Sequence, residues 1–134
     1  MLFTVSLSEK LTKKGISSFS VHPGVIYTNL GRTIKSDEDW NMLKALILEA
    51  GATPGEDEAT HGEDKEIAFK PLSEGVSTQI VAAFDPSIAN HSGEYLLDGH
   101  LAKPGEFQEY AVDKANAAKL WGLSEQMVGE KFEY

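Results

Sequence analysis

Two short strand-like runs, far apart in the chain, place the tightest limit on how these 134 residues can fold. One run covers about residues 16–22 (ISSFSVH) and the other about residues 94–98 (EYLLD). Sequence with helical periodicity separates them, and a strand, a crossover helix and a second strand form a right-handed parallel unit. The sequence therefore predicts an α/β fold in which two parallel strands are flanked by helices. Parallel sheets usually contain more strands than two, so this pair looks like part of a sheet with an unpaired edge.

Apolar residues at intervals of three and four positions predict four helices. They begin at residue 1, after Ser36 (whose side chain suits an N-cap), at Pro71 and at residue 115, and each ends at a glycine or proline signal. The stripes expected to be buried are Phe3, Leu7 and Leu11; Trp40, Leu43, Ile47 and Ala50; Leu72, Val76, Ile80, Ala83 and Phe84; and Leu120, Trp121, Met127 and Val128.

Acidic residues outnumber basic ones by 21 to 12, which gives a net charge of −9 at pH 7. The window from Ser36 to Glu66 holds ten acids and two bases and so carries −8 of that charge. No nucleic-acid or anionic-membrane partner is expected, since both need a surplus of Lys and Arg. The second half of the window, GATPGEDEATHGEDKE, has almost nothing to bury and predicts a mobile, solvated loop. An acidic metal site is the alternative, but the calcium-loop pattern is absent.

Cysteine is absent from the sequence, which excludes disulfides, cysteine zinc sites and thiol catalysis within it. No apolar run approaches the roughly 18 residues of a membrane span. The opening MLFTVSL lacks a basic leader and is soon interrupted by Glu9 and Lys10, so it is a poor signal peptide and a cytoplasmic protein is expected. No metal site is predicted, because the histidines lack metal-ligand spacing and an acidic partner at a helical offset. These are His22, His61, His91 and His100.

Three longer stretches follow one another along the chain: LSEKLTKKGISSFSVHPGVIYTNLGR, FKPLSEGVSTQIVAAFDPSIANHSGEYLLDGHLAKP and KLWGLSEQMVGEKFEY. In the first, a helix ends in a basic turn, a strand delivers Pro-Gly, and a threonine follows four residues after the glycine. The others supply the next helix, the last strand and a C-terminal helix. In order and spacing they resemble the retinol-dehydrogenase-like branch of the short-chain dehydrogenases/reductases, particularly fungal members and the WW-domain-containing oxidoreductase type. The resemblance weakens only across residues 35–66.

This resemblance implies a partial Rossmann-type fold, with residues 1–134 as the C-terminal part of the domain and residues 35–70 as an acidic insertion that forms a substrate lid. A complete family enzyme moves a hydride between NADP or NAD and an alcohol/carbonyl pair, here with a small lipophilic substrate. The family's Gly-x-x-x-Gly-x-Gly loop is not found, because Gly51-x-x-x-Gly55 lacks the third glycine. The chain would begin just beyond the catalytic Tyr-x-x-x-Lys. We therefore expect it to be inactive alone, with no catalytic residue and no tightly bound cofactor.

Tyr110 and Lys114 match the Tyr-x-x-x-Lys spacing literally. In the family's pair the lysine lowers the pKa of the phenol, which can then exchange a proton. A match of this kind arises by chance in about one such chain in three or four. It lies after the last predicted strand, whereas the family's pair precedes the Pro-Gly strand. We therefore interpret it as a surface or helix-start pair.

The resemblance also implies a cofactor-binding loop after the Pro-Gly strand. Pro23 and Gly24 match the turn. Ile26 matches a position whose backbone faces the nicotinamide carboxamide, and Thr28 matches the threonine that hydrogen-bonds it. A hydroxyl beside loop backbone can supply the donor and the acceptor that a carboxamide needs. The alternative is a rigid turn that Thr28 caps, and Tyr27 stands where relatives often carry arginine.

Trp40, Leu43 and Ile47 share one face of the second predicted helix, inside the expected lid. Two interpretations fit this face: ordinary core packing, and a cover over a hydrophobic alcohol or ketone. The sequence favours no individual substrate, because the lid is the variable part of the family.

A second hypothesis makes the chain a non-catalytic α/β interaction module. Its first helix, which in relatives often helps to build a dimer interface, or its open sheet edge would let it form a homo-oligomer. A third is that the coding sequence extends upstream of Met1, where an in-frame Tyr-x-x-x-Lys and glycine-rich loop would support the enzyme hypothesis.

Overall fold

The computed structural model describes residues 1–26, 28–49 and 69–134. The helices there are α1 (Leu2–Leu11), α2 (Asp37–Glu49), α3 (Leu72–Gly75), α4 (Ser77–Phe84) and α5 (Lys114–Val128). The strands are β1 (Ser20–His22), β2 (Tyr95–Leu97) and β3 (His100–Leu101). Two compact units divide the chain: the first unit combines Met1–His22 with Ser77–Tyr134, and the second unit is Pro23–Val76. Among the helices of the described ranges, none is both long and apolar enough to cross a membrane.

The sheet lies in the first unit and has the strand order β1-β2-β3. β1 and β2 are parallel, with Val21 opposite Leu96. Helices precede and follow each of these two strands along the chain. The predicted α/β class, a partial Rossmann-type fold built on two parallel strands, is therefore confirmed.

Both parallel strands are shorter than predicted. β1 begins at Ser20 rather than at residue 16. Just before it, the N–H of Ser18 donates to Ser92 Oγ at 3.0 Å, and the C=O of Ser18 accepts the N–H of Gly93 at 2.7 Å. The backbone there pairs with a turn instead of a strand. β2 likewise loses one residue at each end of the predicted range 94–98.

A third strand, β3, is absent from the sequence-based prediction. It pairs antiparallel with β2, and Leu96 lies opposite Leu101. The connecting residues Asp98 and Gly99 have φ values of 48° and 82°. Two adjacent residues with positive φ make the tight hairpin turn that matches the twist of neighbouring strands. The strand itself is only two residues long, too short for an alternating pattern to reveal it.

α4 packs against β1 and β2, and its buried residue there is polar. Thr78 is fully buried, and its Oγ1 donates to the C=O of His22 at 3.5 Å and accepts the N–H of Gly99 at 2.9 Å. These bonds join the end of β1 to the hairpin turn. The predicted burial of the apolar stripe on α3 and α4 is wrong, because helical spacing identifies an apolar face but not what covers it. Its exposed members are Leu72, Val76, Ile80, Ala83 and Phe84.

α1 packs against α5. Val5 and Ser6 of α1 and Ala117 of α5 are buried, and the rings of Phe3 and Trp121 are 5.7 Å apart across the two helices. The predicted stripe of α1 is displaced, since Phe3 is 45% exposed while Val5 is buried. A search for large apolar residues does not reveal a core position as small as Ala117.

The predicted inner face of α5 is only half correct. Leu120 and Trp121 are half-buried, but Met127 and Val128 are exposed. The helix ends at Gly129, whose φ of 79° is the left-handed conformation typical of a helix stop. Met127 and Val128 lie in the last turn before this stop, on the exposed part of the helix.

α2 begins where the sequence predicts. Ser36 Oγ accepts the N–H of Asp39 at 3.1 Å, and Asp39 Oδ2 accepts the N–H of Lys35 at 3.4 Å. These two bonds satisfy donors that a helix start leaves without partners, much like a capping box. The pKa of the Asp39 carboxyl is lowered, mainly by a hydrogen bond from the Ser36 side chain to the carboxylate and next by the bond from the Lys35 backbone.

Several predictions concern residues outside the described ranges. They are the solvated acidic loop within residues 51–66, the helix stop at Gly51, Ala50 of the apolar stripe, the superficial Gly51-x-x-x-Gly55 match and His61.

Candidate functional site

The Pro-Gly turn begins immediately after β1, at the start of the second unit. Pro23 has no N–H to give to a sheet, and Gly24 has a φ of 83°, which suits a residue without a Cβ. Both residues therefore end the strand and turn the chain. This is the turn that the sequence predicts at these positions.

The residues after the turn are held by the segment that precedes α3. The N–H of Lys70 donates to the C=O of Val25 at 2.8 Å, and Ile26 forms a parallel bridge with Lys70. In a parallel bridge one of the two residues does not bond to its partner itself, and the residues next to it in the chain make the hydrogen bonds instead. Here Val25, next to Ile26, bonds to Lys70, so the N–H and C=O of Ile26 point away from Lys70. The backbone of Ile26 is thereby fixed in direction.

Gly75 fixes the side chain of Ile26. A Cβ on Gly75 would stand 2.8 Å from Ile26 Cγ1 and closer still to Cδ1, so the isoleucine occupies the space that any larger residue would need. Gly75 is buried at the end of α3. Sequence reasoning missed this contact; the available signal was a glycine inside an otherwise helical pattern, which often marks close packing.

Thr28 is exposed and directly precedes a short 3-10 helix, Asn29–Thr33. The structure thus gathers the four predicted cofactor residues, Pro23, Gly24, Ile26 and Thr28, into one turn of the second unit. Tyr27, between them, lies outside the described residues. A cofactor's carboxamide fits the chemistry of this turn, because an exposed threonine lies close in sequence to a backbone of fixed direction. Nicotinamide binding by these residues remains a prediction.

An aromatic pair lies in the same unit. The rings of Trp40 and Phe69 are 6.2 Å apart and nearly perpendicular, at 88°. Phe69 is 40% exposed, while Trp40 and Leu43 are half-buried. The third residue of the predicted face, Ile47, has a side chain outside the described part of the chain. Phe69 was not singled out from the sequence, since an isolated phenylalanine beside the acidic window belongs to no periodic pattern.

The two residues of the literal Tyr-x-x-x-Lys match, Tyr110 and Lys114, are both exposed. Tyr110 is 68% exposed, in a 3-10 helix over Glu109–Ala111. Lys114 is the first residue of α5, and its Nζ lies 3.4 Å from Glu9 Oε1. The lysine at a helix start therefore pairs with a carboxylate of α1, as a surface ion pair.

Two histidines have acidic neighbours, and the one three residues from His91 corrects the expectation that no histidine has an acidic partner at a helical offset. His91 Nδ1 lies 2.8 Å from Glu94 Oε1, three residues along a turn, and His100 Nε2 lies 3.5 Å from Glu106 Oε2. The turn geometry brings these partners together without a helix. In the described ranges no group of three or more metal-ligating side chains occurs.

The chain is similar to curated oxidoreductases along nearly its whole length. It is 33% identical to retinol dehydrogenase 14 of Mus musculus over 96% of the chain and 33% of that protein. It is 29% identical to the short-chain dehydrogenase TIC 32 A, chloroplastic, of Brassica napus, over 96% of the chain and 33% of the relative. With the WW domain-containing oxidoreductase of Drosophila melanogaster the identity is 26%, over 99% of the chain and 27% of the relative.

The chain spans about one third of the length of the curated relatives it matches. No protein-family model and no solved structure gives a significant match. The order of strand, Pro-Gly turn, helix and second parallel strand agrees with the resemblance that the sequence motifs carry. Over nearly its whole length the chain is therefore similar to retinol-dehydrogenase-like members of the short-chain dehydrogenases/reductases.

Proposed function

We propose that the chain is the C-terminal part of an NAD(P)-dependent short-chain dehydrogenase/reductase that acts on an alcohol/carbonyl pair. In this proposal the turn from Pro23 to Thr28 binds the carboxamide end of the nicotinamide. The observation that carries it is the anchoring of this turn: Lys70 holds Val25 by a 2.8 Å hydrogen bond, and Gly75 leaves space for the Ile26 side chain. When bound, the cofactor supplies or accepts a hydride.

Within this turn, Ile26 and Thr28 have complementary roles. The Thr28 hydroxyl can donate to the carboxamide oxygen or accept from its NH₂ group, and the backbone of Ile26 can make the other bond. Because the backbone of Ile26 is already anchored through Lys70, less entropy is lost there when the ligand binds. Pro23 and Gly24 supply the change of direction that precedes these groups in the chain.

The segment from residue 35 to residue 70 is proposed as the substrate lid. It contains α2 and ends at Lys70, the residue that bonds to the cofactor turn. A lid of this kind would cover a small lipophilic alcohol or carbonyl compound and exclude water from it. The sequence contains neither the glycine-rich loop nor the catalytic Ser-Tyr-Lys arrangement of the family, so the 134-residue chain alone should show no turnover. Detectable oxidation of NADPH by the purified chain would contradict this.

The cofactor turn is tested by nuclear magnetic resonance titration of the 15N-labelled chain with NADPH and, separately, NADH. We expect weak binding that shifts the amide signals of Ile26 and Thr28. Thr28→Val should raise the Kd about five-fold, which corresponds to one hydrogen bond of about 1 kcal/mol. Thr33→Val is the matched control, because Thr33 is an exposed threonine in the adjoining 3-10 helix. Equal effects of the two substitutions, or no shift at Ile26 and Thr28, would overturn the proposal.

A second candidate, the interaction module, is supported by the outer edge of β1. The N–H of Ser20 and the C=O of His22 bond toward β2, to Glu94 and Asp98 respectively. In a strand the peptide groups of the intervening residue point the other way, so those of Val21 face the edge beyond β1, and its side chain is 38% exposed. The sheet edge supports a homo-oligomer better than the first helix, whose inner face is covered by α5. A monomer by light scattering at micromolar concentration would count against this candidate.

A further inference from the structure

The second unit contains a concave surface that the cofactor turn does not use. It has a volume of about 580 Å³ and is lined, among the described residues, by Asp37, Trp40, Asn41, Lys44 and Phe69. The first four lie at helical positions i, i+3, i+4 and i+7 and therefore share one face of α2. The volume falls within the range of small-molecule sites, about 300 to 1,000 Å³.

The aromatic pair gives this surface a preference in shape. Trp40 and Phe69 meet edge to face, at 6.2 Å and 88°. This arrangement leaves ring area exposed on Phe69, which is 40% accessible. A third flat ring can add an offset or edge-on contact to such a pair, and each contact of this type is worth about 0.5 to 1.5 kcal/mol beyond the area that it buries. A saturated ligand of equal size gains only the free energy of burying its apolar surface.

The polar residues give the same surface a preference in charge. Asp37 and Lys44 supply one negative and one positive charge, and Asn41 supplies a neutral amide between them. A ligand with a formal charge is attracted by one end and repelled by the other. A neutral hydroxyl or carbonyl group instead finds both hydrogen-bond donors and acceptors.

The aromatic pair is also tied to the turn that is proposed to hold the nicotinamide. Phe69 is the neighbour of Lys70, which donates to Val25 and bridges to Ile26. The ring of Phe69 is therefore placed by the same backbone pairing that fixes the turn. A ligand on the aromatic pair would lie beside that pairing within one unit of the chain.

From these observations we infer that Trp40 and Phe69 determine the substrate's class: a neutral, planar aromatic alcohol or aldehyde rather than a flexible or saturated one. The inference rests on the proposed function, because it assigns the substrate of that reaction. It adds two specificity-determining residues, one on α2 and one just before α3, and requires the flat part of the substrate to pack against both rings.

The first test compares two alcohols of matched size on the unmodified, 15N-labelled chain. 2-Naphthalenemethanol is aromatic, and its fully saturated decalin counterpart carries the same hydroxyl group. The two tryptophans of the chain give two indole N–H signals, which the Trp40→Phe variant assigns. We expect the aromatic alcohol to shift the Trp40 signal but not that of Trp121, and to bind about two- to ten-fold more tightly than the saturated one. Equal binding of the two alcohols, or no shift of Trp40, would overturn the inference.

The second test replaces the other ring. Phe69→Leu keeps an apolar side chain but removes the aromatic contact, so binding of the naphthalene alcohol should weaken by about two- to ten-fold. Binding of the saturated alcohol should not change. Phe84→Leu is the control, since Phe84 is 76% exposed in the first unit. If the two variants bind the aromatic alcohol equally well, Phe69 does not determine specificity.

The same spectra separate this inference from the proposed cofactor turn. If NADPH does not shift the Thr28 signal but the aromatic alcohol still binds at Trp40, the cofactor role is contradicted and the aromatic site is supported. Intact NADPH shifts without aromatic selectivity would contradict only the aromatic site.

Discussion

At the scale of single residues, the positions that organise this protein are small or polar ones. Thr78 can be fully buried because its hydroxyl donates to the C=O of His22 at the end of β1 and accepts the N–H of Gly99 in the hairpin turn. Gly75 is buried because the Ile26 side chain occupies the space where a Cβ would stand. A buried polar group lowers the free energy of unfolding unless it is hydrogen-bonded, and a close backbone approach leaves no room for a larger side chain. Substitutions at such positions therefore have large effects on stability.

The packing of Ile26 on Gly75 predicts a specific pattern of substitutions. Gly75→Ala should destabilise the chain by about 1 to 3 kcal/mol through overpacking. Adding Ile26→Val should recover part of that loss, because it removes a methyl group from the contact. Gly122→Ala is the control: this glycine also lies in a helix, but nothing stands within 4 Å of a Cβ built there, so the change should be neutral or stabilising. Urea unfolding compares five proteins: the unmodified chain, Gly75→Ala, Ile26→Val, their double variant and Gly122→Ala.

Overpacking would be the wrong explanation if Gly75→Ala and Gly122→Ala had the same free energy of unfolding. It would also be wrong if Ile26→Val failed to couple to Gly75→Ala in the double variant.

At the scale of elements, the C-terminal tail is joined to α5 by one carboxylate. Glu125 Oε1 accepts the indole N–H of Trp121 at 2.9 Å and the backbone N–H of Phe132 at 3.0 Å. The bond from Phe132 is the main cause that lowers the pKa of Glu125, followed by the bond from Trp121. Trp121 also contacts Tyr134, with ring centroids 5.8 Å apart. The tail therefore folds back on the helix through these bonds.

The lowered pKa of Glu125 sets the pH range of this contact. Folding favours the carboxylate, so its contribution is fully present above the unfolded-chain pKa of about 4.3 and is lost as pH falls through the lower folded value. We expect the Phe132 amide and Trp121 indole signals to move together over that acidic range. Glu125→Gln should abolish this joint titration while keeping an acceptor oxygen, and Glu133→Gln should leave it unchanged. Separate midpoints for the two signals would contradict a shared carboxylate.

Elements also show how far the sequence alone could lead. The parallel pairing of β1 and β2 was predictable because both runs are strand-like and helices separate them. β3 was not, since it consists of His100 and Leu101 and depends on the backbone of Asp98 and Gly99. Helix positions followed from spacing and capping signals, except that the single helix predicted from Pro71 is divided into α3 and α4. Helix faces did not, because an apolar repeat gives no information about what covers it.

Some features of the candidate site could likewise be predicted from the sequence and others could not. The turn from Pro23 to Thr28 could be predicted from motif order, and Pro-Gly by itself requires a change of direction. Its support by Lys70 and Gly75 could not, since these residues are distant in sequence and meet Val25 and Ile26 only through the fold. Phe69 was missed for the same reason.

At the scale of the whole molecule, full burial of apolar side chains is concentrated in the first unit. Within the described ranges, the buried hydrophobic residues are Val5, Ile88, Leu96 and Ala117. Several large apolar side chains are instead more than half exposed, among them Ile80 and Phe84. Stability should therefore depend strongly on a few positions and very little on most apolar ones.

Leu96→Ala and Phe84→Ser test that uneven dependence. Leu96 is completely buried in β2, so its truncation should cost about 2 to 5 kcal/mol of the free energy of unfolding. Phe84 is 76% exposed, and its replacement by serine should change that free energy by less than about 0.5 kcal/mol. Urea unfolding compares the two, and binding of a hydrophobic dye should fall in Phe84→Ser. A large loss of stability in Phe84→Ser would show that its ring is covered in solution.

The division of the first unit into two chain segments has a consequence for how the protein folds. β1 can pair with β2 only after the whole of Pro23–Val76 has been closed into a loop. Such long-range pairing raises the contact order and slows folding, so we expect the sheet to form late. The free-energy cost of closing the loop grows only slowly, by about 0.6 kcal/mol for each doubling of the loop length. Insertions within Pro23–Val76 should therefore slow folding and barely change the stability of the sheet, which leaves the length of this segment free to diverge.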